Sequence, residues 1–70
     1  MDAFELKKIQ IYLNNKFKSK YFSLKEQSIN DSVEVYLKDE FIGVIYKDDE
    51  DGELAYQFHM TILDEDLLNS

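Results

Sequence analysis

A run of carboxylates between Asp48 and Glu53 is the first part of this sequence that could do chemistry. Asp49, Asp51 and Gly52 stand at the third, fifth and sixth places of a calcium-binding loop pattern. A lysine would then hold the first place and a phenylalanine the twelfth, so two essential oxygen ligands are missing. We therefore expect no metal site and interpret the run as a solvated hairpin tip. Weak divalent-cation or small-ligand binding is the alternative, with candidate ligands Asp48, Asp49, Asp51 and Glu53.

His59 is the only histidine, and a general base needs both a positioned partner and a pocket. The chain has no cysteine for a histidine to activate, and none of its serines stands in a Gly-x-Ser-x-Gly context. Its two glycines cannot form a phosphate-binding loop. We expect neither an enzyme nor a cofactor, and we place His59 on a surface or an interface.

The charge of the chain is unevenly distributed. Residues 1–31 carry six lysines against four carboxylates, whereas residues 32–70 carry two lysines against eleven, and the net charge is −7. An acidic field repels nucleic acid phosphates and anionic membranes and attracts basic partners. We expect no nucleic acid and no membrane partner; phosphate contact would be confined to four lysines, Lys16, Lys18, Lys20 and Lys25.

The composition also bears on location. The first residues lack the basic flank and the long apolar run of a signal peptide, and no stretch approaches the ~20 apolar residues of a membrane span. Without cysteine there is no disulfide to support a small domain. We expect a cytoplasmic protein of one domain, residues 1–70.

The first predicted element is a helix over about residues 3–18. Asp2 and Glu5 have the spacing of a capping box. One apolar stripe follows at helical spacing: Leu6, Ile9, Leu13 and Phe17. Phe4 and Ile11 lie on nearly the opposite side of this helix. Three alternatives are open for these two side chains: the C-terminal tail covers them, they are exposed to solvent, or a second chain buries them.

After the helix the apolar period falls to two, which predicts four strands at about 21–28, 32–37, 40–48 and 53–63. Lys38-Asp39 fits a two-residue hairpin loop. The next loop needs an odd number of residues, which Glu50-Asp51-Gly52 provides as a three-residue loop and a five-residue loop would also provide. This register pairs Val35 with Ile42 and Val33 with Val44. One face then collects the apolar residues Val33, Val35, Leu37, Ile42, Val44, Tyr46, Leu54, Tyr56, Phe58 and Met60.

These elements predict an α+β fold, in which the helix packs on one face of a four-stranded antiparallel meander and a short helical turn can follow at the C-terminus. One helix cannot cover both faces of such a sheet. The other face would expose apolar groups around a glycine, where a ring or another backbone can approach closely. We predict an interaction surface from this face and from the second stripe of the helix, formed by Tyr36, Phe41, Gly43, Ile45, His59, Phe4 and Ile11.

Three segments carry a family resemblance: Val33 to Tyr36, Asp39 to Val44 and Lys47 to Glu53. Together with Tyr56 to Met60 and Ile62 to Asp64, they resemble a family of small uncharacterised alphaproteobacterial proteins classified as a domain of unknown function, DUF3126. The resemblance implies a bacterial cytoplasmic protein and no particular activity. The chain departs from the family after the helix, where a break containing glycine and proline is expected and three polar residues stand instead, Lys18-Ser19-Lys20.

These observations favour a non-catalytic protein-interaction module or a small subunit of a complex. Its partner would be another protein or a second copy of the chain, which would give a homodimer. The uncovered sheet face is the expected contact surface.

Overall fold

The computed structural model describes residues 1–27, 31–50 and 52–68. The elements, in chain order, are α1 (Ala3–Lys16), β1 (Phe22–Glu26), β2 (Ser32–Leu37), β3 (Glu40–Asp48), β4 (Ala55–Met60) and α2 (Asp64–Leu68). The strands form one antiparallel sheet in the order β1-β2-β3-β4. The predicted α+β class, with an N-terminal helix and a short C-terminal helix, is confirmed.

Helix α1 begins at the predicted capping box. The Glu5 amide donates to Asp2 Oδ1 at 2.8 Å, and the Asp2 amide donates to Glu5 Oε1 at 3.2 Å. The helix ends at Lys16 rather than near residue 18, because Lys18 has a φ of 53° and the Ser19 amide bonds back to the Asn14 carbonyl at 2.9 Å. Lys18 thus adopts the left-handed conformation that a glycine usually adopts after the end of a helix.

Two polar side chains of α1 fix the helix on β1. Gln10 Nε2 donates to the Phe22 carbonyl oxygen at 2.8 Å, and Asn14 Oδ1 accepts from the Phe22 amide at 3.2 Å. These bonds satisfy the amide and the carbonyl of Phe22, at the start of the edge strand β1. The side chain of Phe22 is buried. The helix therefore lies over the β1 side of the sheet and leaves the inner side of β3 and β4 less covered.

The hairpin between β2 and β3 has the predicted two-residue loop. Leu37 pairs with Glu40, and the loop residues Lys38 and Asp39 have φ angles of 53° and 65°. Two successive left-handed residues are the conformation that a type I′ hairpin requires.

A β-bulge in β3 makes the predicted register wrong. Tyr36 pairs with Phe41 as expected, but the next pair is Val35 with Gly43, so Ile42 is the extra residue. Because side chains alternate along a strand, this single insertion exchanges the two faces of β3 beyond it. Ile45 therefore lies opposite Val33 on the helix side of the sheet and is only 2% exposed.

The bulge also changes the loop between β3 and β4. The last pair of this hairpin is Asp48 with Ala55, so the loop covers residues 49–54 and the predicted three-residue loop is wrong. An even loop length is required because β3 reaches the turn with its faces exchanged. Gly52 has a φ of 78°, the left-handed conformation expected of it. Asp51 lies outside the described residues.

The core is small and sits between α1 and the inner face of the sheet. Its buried members are Leu13, Phe22, Val33, Val35 and Ile45, and partly buried Leu6, Ile9, Leu24, Leu37, Ile42, Tyr56 and Phe58 pack against them. Of the residues expected inside, Val44 and Tyr46 lie on the opposite face because of the bulge, and Leu54 and Met60 are exposed.

Beyond β4 the chain leaves the body of the domain. The Thr61 amide donates to the Ile42 carbonyl at 2.8 Å, which continues the direction of β4 by one residue. The Leu63 amide donates to Asp66 Oδ2 at 3.1 Å and so begins α2. We call residues 61–68 the C-terminal segment; all of its side chains are exposed.

Candidate functional site

The side of the sheet opposite α1 is the candidate site, and we call it the outer face. Its centre comes from the strands β2, β3 and β4, at the positions that alternate with the core: Glu34, Tyr36, Phe41, Val44, Tyr46, Gln57 and His59. Ser23 and Lys25 of β1, the cross-strand partners of Tyr36 and Glu34, lie on the same face. Among residues 1–27, 31–50 and 52–68, neither helix packs on this face. The face is therefore accessible to a partner.

Two aromatic pairs form the centre of the outer face. The rings of Tyr36 and Phe41 meet edge to face, with centroids 5.8 Å apart, and those of Tyr46 and His59 do the same at 5.4 Å. Val44 is the cross-strand partner of His59 and of Glu34, so it lies between the two pairs. The aromatic surface is built on paired strands rather than on loops.

The two aromatic rings on β3 are exposed without being fully solvated. Phe41 is 42% exposed and Tyr46 is 43% exposed, so each ring is partly packed and still presents a large apolar area. Aromatic side chains held in this way have little conformational entropy to lose on binding. The arrangement suits protein contact.

The charged groups at the β2 side of the outer face are of both signs, because Glu34 of β2 lies opposite Lys25 of β1. The Tyr36 hydroxyl donates to Glu34 Oε1 at 3.3 Å. Partial burial, and then the neighbouring Glu34 carboxylate, raise the pKa of Tyr36, so its hydroxyl stays a neutral donor.

Three of the predicted residues lie on the outer face, Tyr36, Phe41 and His59; Tyr36 contacts Phe41, and His59 contacts Tyr46. The expectation that Gly43 and Ile45 share this face is wrong, because the bulge at Ile42 turns both toward α1. A side chain at Gly43 would place its Cβ 2.3 Å from the His59 carbonyl oxygen. The glycine therefore allows close packing of β4, rather than the approach of a partner.

Val44 and Tyr46 lie on the outer face, although the alternation of apolar residues predicted both in the core. The only local signal was Gly43, because a glycine inside a strand often marks a bulge. A bulge beside it would have moved both residues to the outer face.

Phe4 and Ile11 lie elsewhere. Both are on α1, which packs on the inner side of the sheet, and Phe4 is 70% exposed. Lys8 Nζ lies 4.7 Å from the centre of the Phe4 ring. Neither the sheet nor the described part of the tail covers these residues, so they form a surface separate from the outer face.

The acidic run begins with a hydrogen bond between a side chain and the backbone two residues later. The Glu50 amide donates to Asp48 Oδ1 at 3.2 Å. In the part of the chain that the structure describes, no group of three histidine or acidic side chains is placed to hold a metal ion. Of the four candidate ligands, Asp48, Asp49 and Glu53 belong to that part and Asp51 does not.

The His59 ring contacts the Tyr46 ring, and His59 is the cross-strand partner of Val44 on β3. Neither neighbour is a carboxylate that could orient an imidazole for proton transfer. Its ring contributes to the aromatic surface.

A polar cluster ties α1 to the far strands of the sheet. Glu5 Oε2 accepts from Lys47 Nζ and from the Tyr56 hydroxyl, at 2.8 Å and 2.7 Å. The Lys47 contact, with help from Tyr56, lowers the pKa of Glu5 to about 2, and the same contacts raise the pKa values of Lys47 and Tyr56. This cluster holds the N-terminal end of the helix over β3 and β4.

Comparison with known proteins gives one match. A family model described as "Protein of unknown function (DUF3126)" matches residues 5–66. No curated protein and no solved structure matches the chain. Among the helices of the described residues, none is long and apolar enough to cross a membrane.

Proposed function

The chain belongs to the DUF3126 family of proteins of unknown function, and we propose that it is a non-catalytic protein-interaction module whose outer face binds another protein. The observation that carries the proposal is the pair of edge-to-face aromatic contacts, Tyr36 with Phe41 and Tyr46 with His59, on a face that no described helix covers. Aromatic residues are enriched at protein interfaces and frequently carry their binding energy.

The chemistry of the partner follows from the same surface. Val44 and the exposed edges of Phe41 and Tyr46 provide an apolar centre, and Glu34 lies beside it. The net charge of −7 adds a long-range attraction for a basic surface. The proposed partner is therefore a protein with apolar side chains flanked by lysine or arginine.

The absence of catalysis and the cytoplasmic location belong to the same proposal. The ring of the only histidine contacts an aromatic neighbour, and Glu5, whose carboxyl pKa is lowered to about 2, fastens the helix to the sheet. Small domains of secreted proteins usually depend on disulfides, and this chain has no cysteine. We place the module in the reducing cytoplasm of a bacterium, without a cofactor.

Capture from host extract tests the proposal with a matched pair of substitutions. Phe41→Asp puts a charge in the centre of the outer face, whereas Phe4→Asp puts the same charge on an exposed position of α1. We expect the wild-type chain and Phe4→Asp to retain the same basic partner and Phe41→Asp to lose it, with all three chains folded by circular dichroism. Equal capture by Phe41→Asp and the wild type would overturn the proposal.

A further inference from the structure

A groove runs along α1 on the side away from β1. It encloses about 620 Å³ between the helix and the inner side of β3 and β4. Its apolar lining includes Ile9, Tyr12, Phe17, Ile45, Leu54 and Phe58. The volume is within the range of about 300–1,000 Å³ that is typical of clefts that bury a ligand. The groove exists because the bonds of Gln10 and Asn14 hold the helix over β1.

The helix side of the groove is basic. Lys8 and Lys16 both line it, and eight helical positions separate them by about 12 Å. The third charged residue of the lining, Glu5, is already neutralised by Lys47. An occupant of this groove would therefore combine apolar side chains with negative charge.

The C-terminal segment has this composition. Ile62, Leu63 and Leu68 are exposed apolar side chains, and Leu68 is 78% exposed. Three consecutive carboxylates stand among them, Asp64, Glu65 and Asp66. In its own chain no residue of the segment lines the groove.

We propose that the groove binds the C-terminal segment of a second copy of the chain, so that two copies exchange their segments in a homodimer. The apolar side chains of the segment fill the groove, and its carboxylates face Lys8 and Lys16. In a two-fold dimer each contact occurs twice, so both grooves and both segments are buried. Together they contribute to the area of about 800 Å² per partner that a stable interface buries. This surface is separate from the outer face, which stays free for the proposed partner.

Charge reversal on the two sides of the contact tests the exchange. The groove variant carries Lys8→Glu and Lys16→Glu, and the segment variant carries Asp64→Lys and Glu65→Lys; both pairs of residues are exposed. Sedimentation velocity over a concentration series should show the wild type at twice the monomer mass of 8.3 kDa. Each variant alone should associate at least tenfold more weakly, because its groove and segment carry charge of the same sign.

Mixing the two variants distinguishes exchange between chains from folding back within one chain. In the mixed dimer, the acidic groove of one copy meets the basic segment of the other, and the remaining groove and segment are as in the wild type. We expect the equimolar mixture to recover the dimer. A wild type that stays monomeric at high micromolar concentration, or a mixture that stays monomeric, would overturn the proposal.

Phe41→Asp serves as the control that separates the two proposals. It leaves the groove and the C-terminal segment intact, so we expect it to dimerise as the wild type does. Loss of the dimer in folded Phe41→Asp would show that the outer face is the dimer contact and would contradict segment exchange. Loss of a captured partner with the dimer retained would support both proposals.

Discussion

Tyr36 and Phe41 form the last cross-strand pair before the bulge in β3, and their rings meet edge to face at 5.8 Å on the outer face. One residue further along, Ile42 has no cross-strand partner in β2, and the faces of β3 are exchanged from Gly43 onward. The bulge thus places Ile45 in the core and adds Val44 and Tyr46 to the aromatic surface. A single inserted residue determines both the packing of the domain and the composition of its candidate site.

Alanine substitutions on the two sides of β3 test this placement. Ile45→Ala should lower the free energy of unfolding by about 2–5 kcal/mol, because it leaves a cavity among buried side chains. Val44→Ala removes less apolar volume from a partly exposed position and should cost well under half as much. Urea denaturation followed by circular dichroism gives both values. A larger loss for Val44→Ala would support the register without a bulge.

The contact of β3 with β4 at Gly43 gives a second prediction. In Gly43→Ala the new Cβ would lie 2.3 Å from the His59 carbonyl oxygen and 2.9 Å from Met60 Cα, so backbone must move. We expect a loss of about 3 kcal/mol in the free energy of unfolding, at the upper end of the usual cost of overpacking. Thermal denaturation of the purified variant measures it.

Gly52→Ala is the matched control for Gly43→Ala. Its Cβ would meet no atom within 4 Å, but its φ of 78° disfavours a side chain and should cost about 1–2 kcal/mol. The comparison separates steric conflict from backbone strain. If Gly52→Ala lost more free energy of unfolding than Gly43→Ala, the close packing of β4 on Gly43 would not be the stronger requirement for a glycine.

Much of the fold could be predicted from the sequence because much of it is local. The capping box of Asp2 and Glu5 and the hairpin at Lys38 and Asp39 depend on residues that are neighbours in the chain. The bulge depends instead on the approach of β4 to Gly43, which is a tertiary contact. Alternation of apolar residues favours an uninterrupted strand and gives no indication of the extra residue Ile42.

The candidate site was predicted in part, for the same reason. Tyr36 and Phe41 precede the bulge and were placed correctly, whereas Gly43 and Ile45 follow it and were not. His59 was also placed on the outer face, because two errors cancelled: the missed bulge and the wrong loop length each exchange the faces once. Beyond the bulge, the placement of an outer-face residue therefore required the structure.

The ion pair of Glu5 with Lys47 predicts how stability depends on pH. The pKa of Glu5 is about 2 in the folded chain and 4.5 is its ordinary value, so the folded state binds the proton less tightly than the unfolded state. The stabilisation is therefore fully present above pH 4.5 and is lost as the pH falls toward 2. In Glu5→Gln, the midpoint of urea unfolding should fall less steeply over this interval than in the wild type.

Glu40→Gln is the control for the acid range. Glu40 is an exposed carboxylate at the hairpin between β2 and β3, and it lies far from Lys47 in the strand register. This variant should retain the steep acid dependence of the wild type. Identical pH profiles for Glu5→Gln and the wild type would mean that the Glu5 contacts do not stabilise the fold.

The acidic loop gives a prediction about metal ions. Lys47 and Phe58 occupy the places where a calcium loop needs oxygen ligands, and the side chain of Asp48 already accepts from the Glu50 amide. We expect millimolar Ca²⁺ or Mg²⁺ to leave the melting temperature and the amide resonances of residues 48–53 unchanged. Saturable shifts confined to these residues, absent in Asp49→Asn, would instead establish a cation site.

Site-specific photo-crosslinking tests the central claim, that the outer face binds a partner protein. Benzoylphenylalanine replaces Phe41 in one chain and Phe4 in the other, so the same probe lies on opposite sides of the domain. Irradiation in host cells should give a discrete adduct with a different protein from position 41 and not from position 4. No adduct at position 41, adducts only between two copies of the chain, or the same adducts from both positions would contradict the claim.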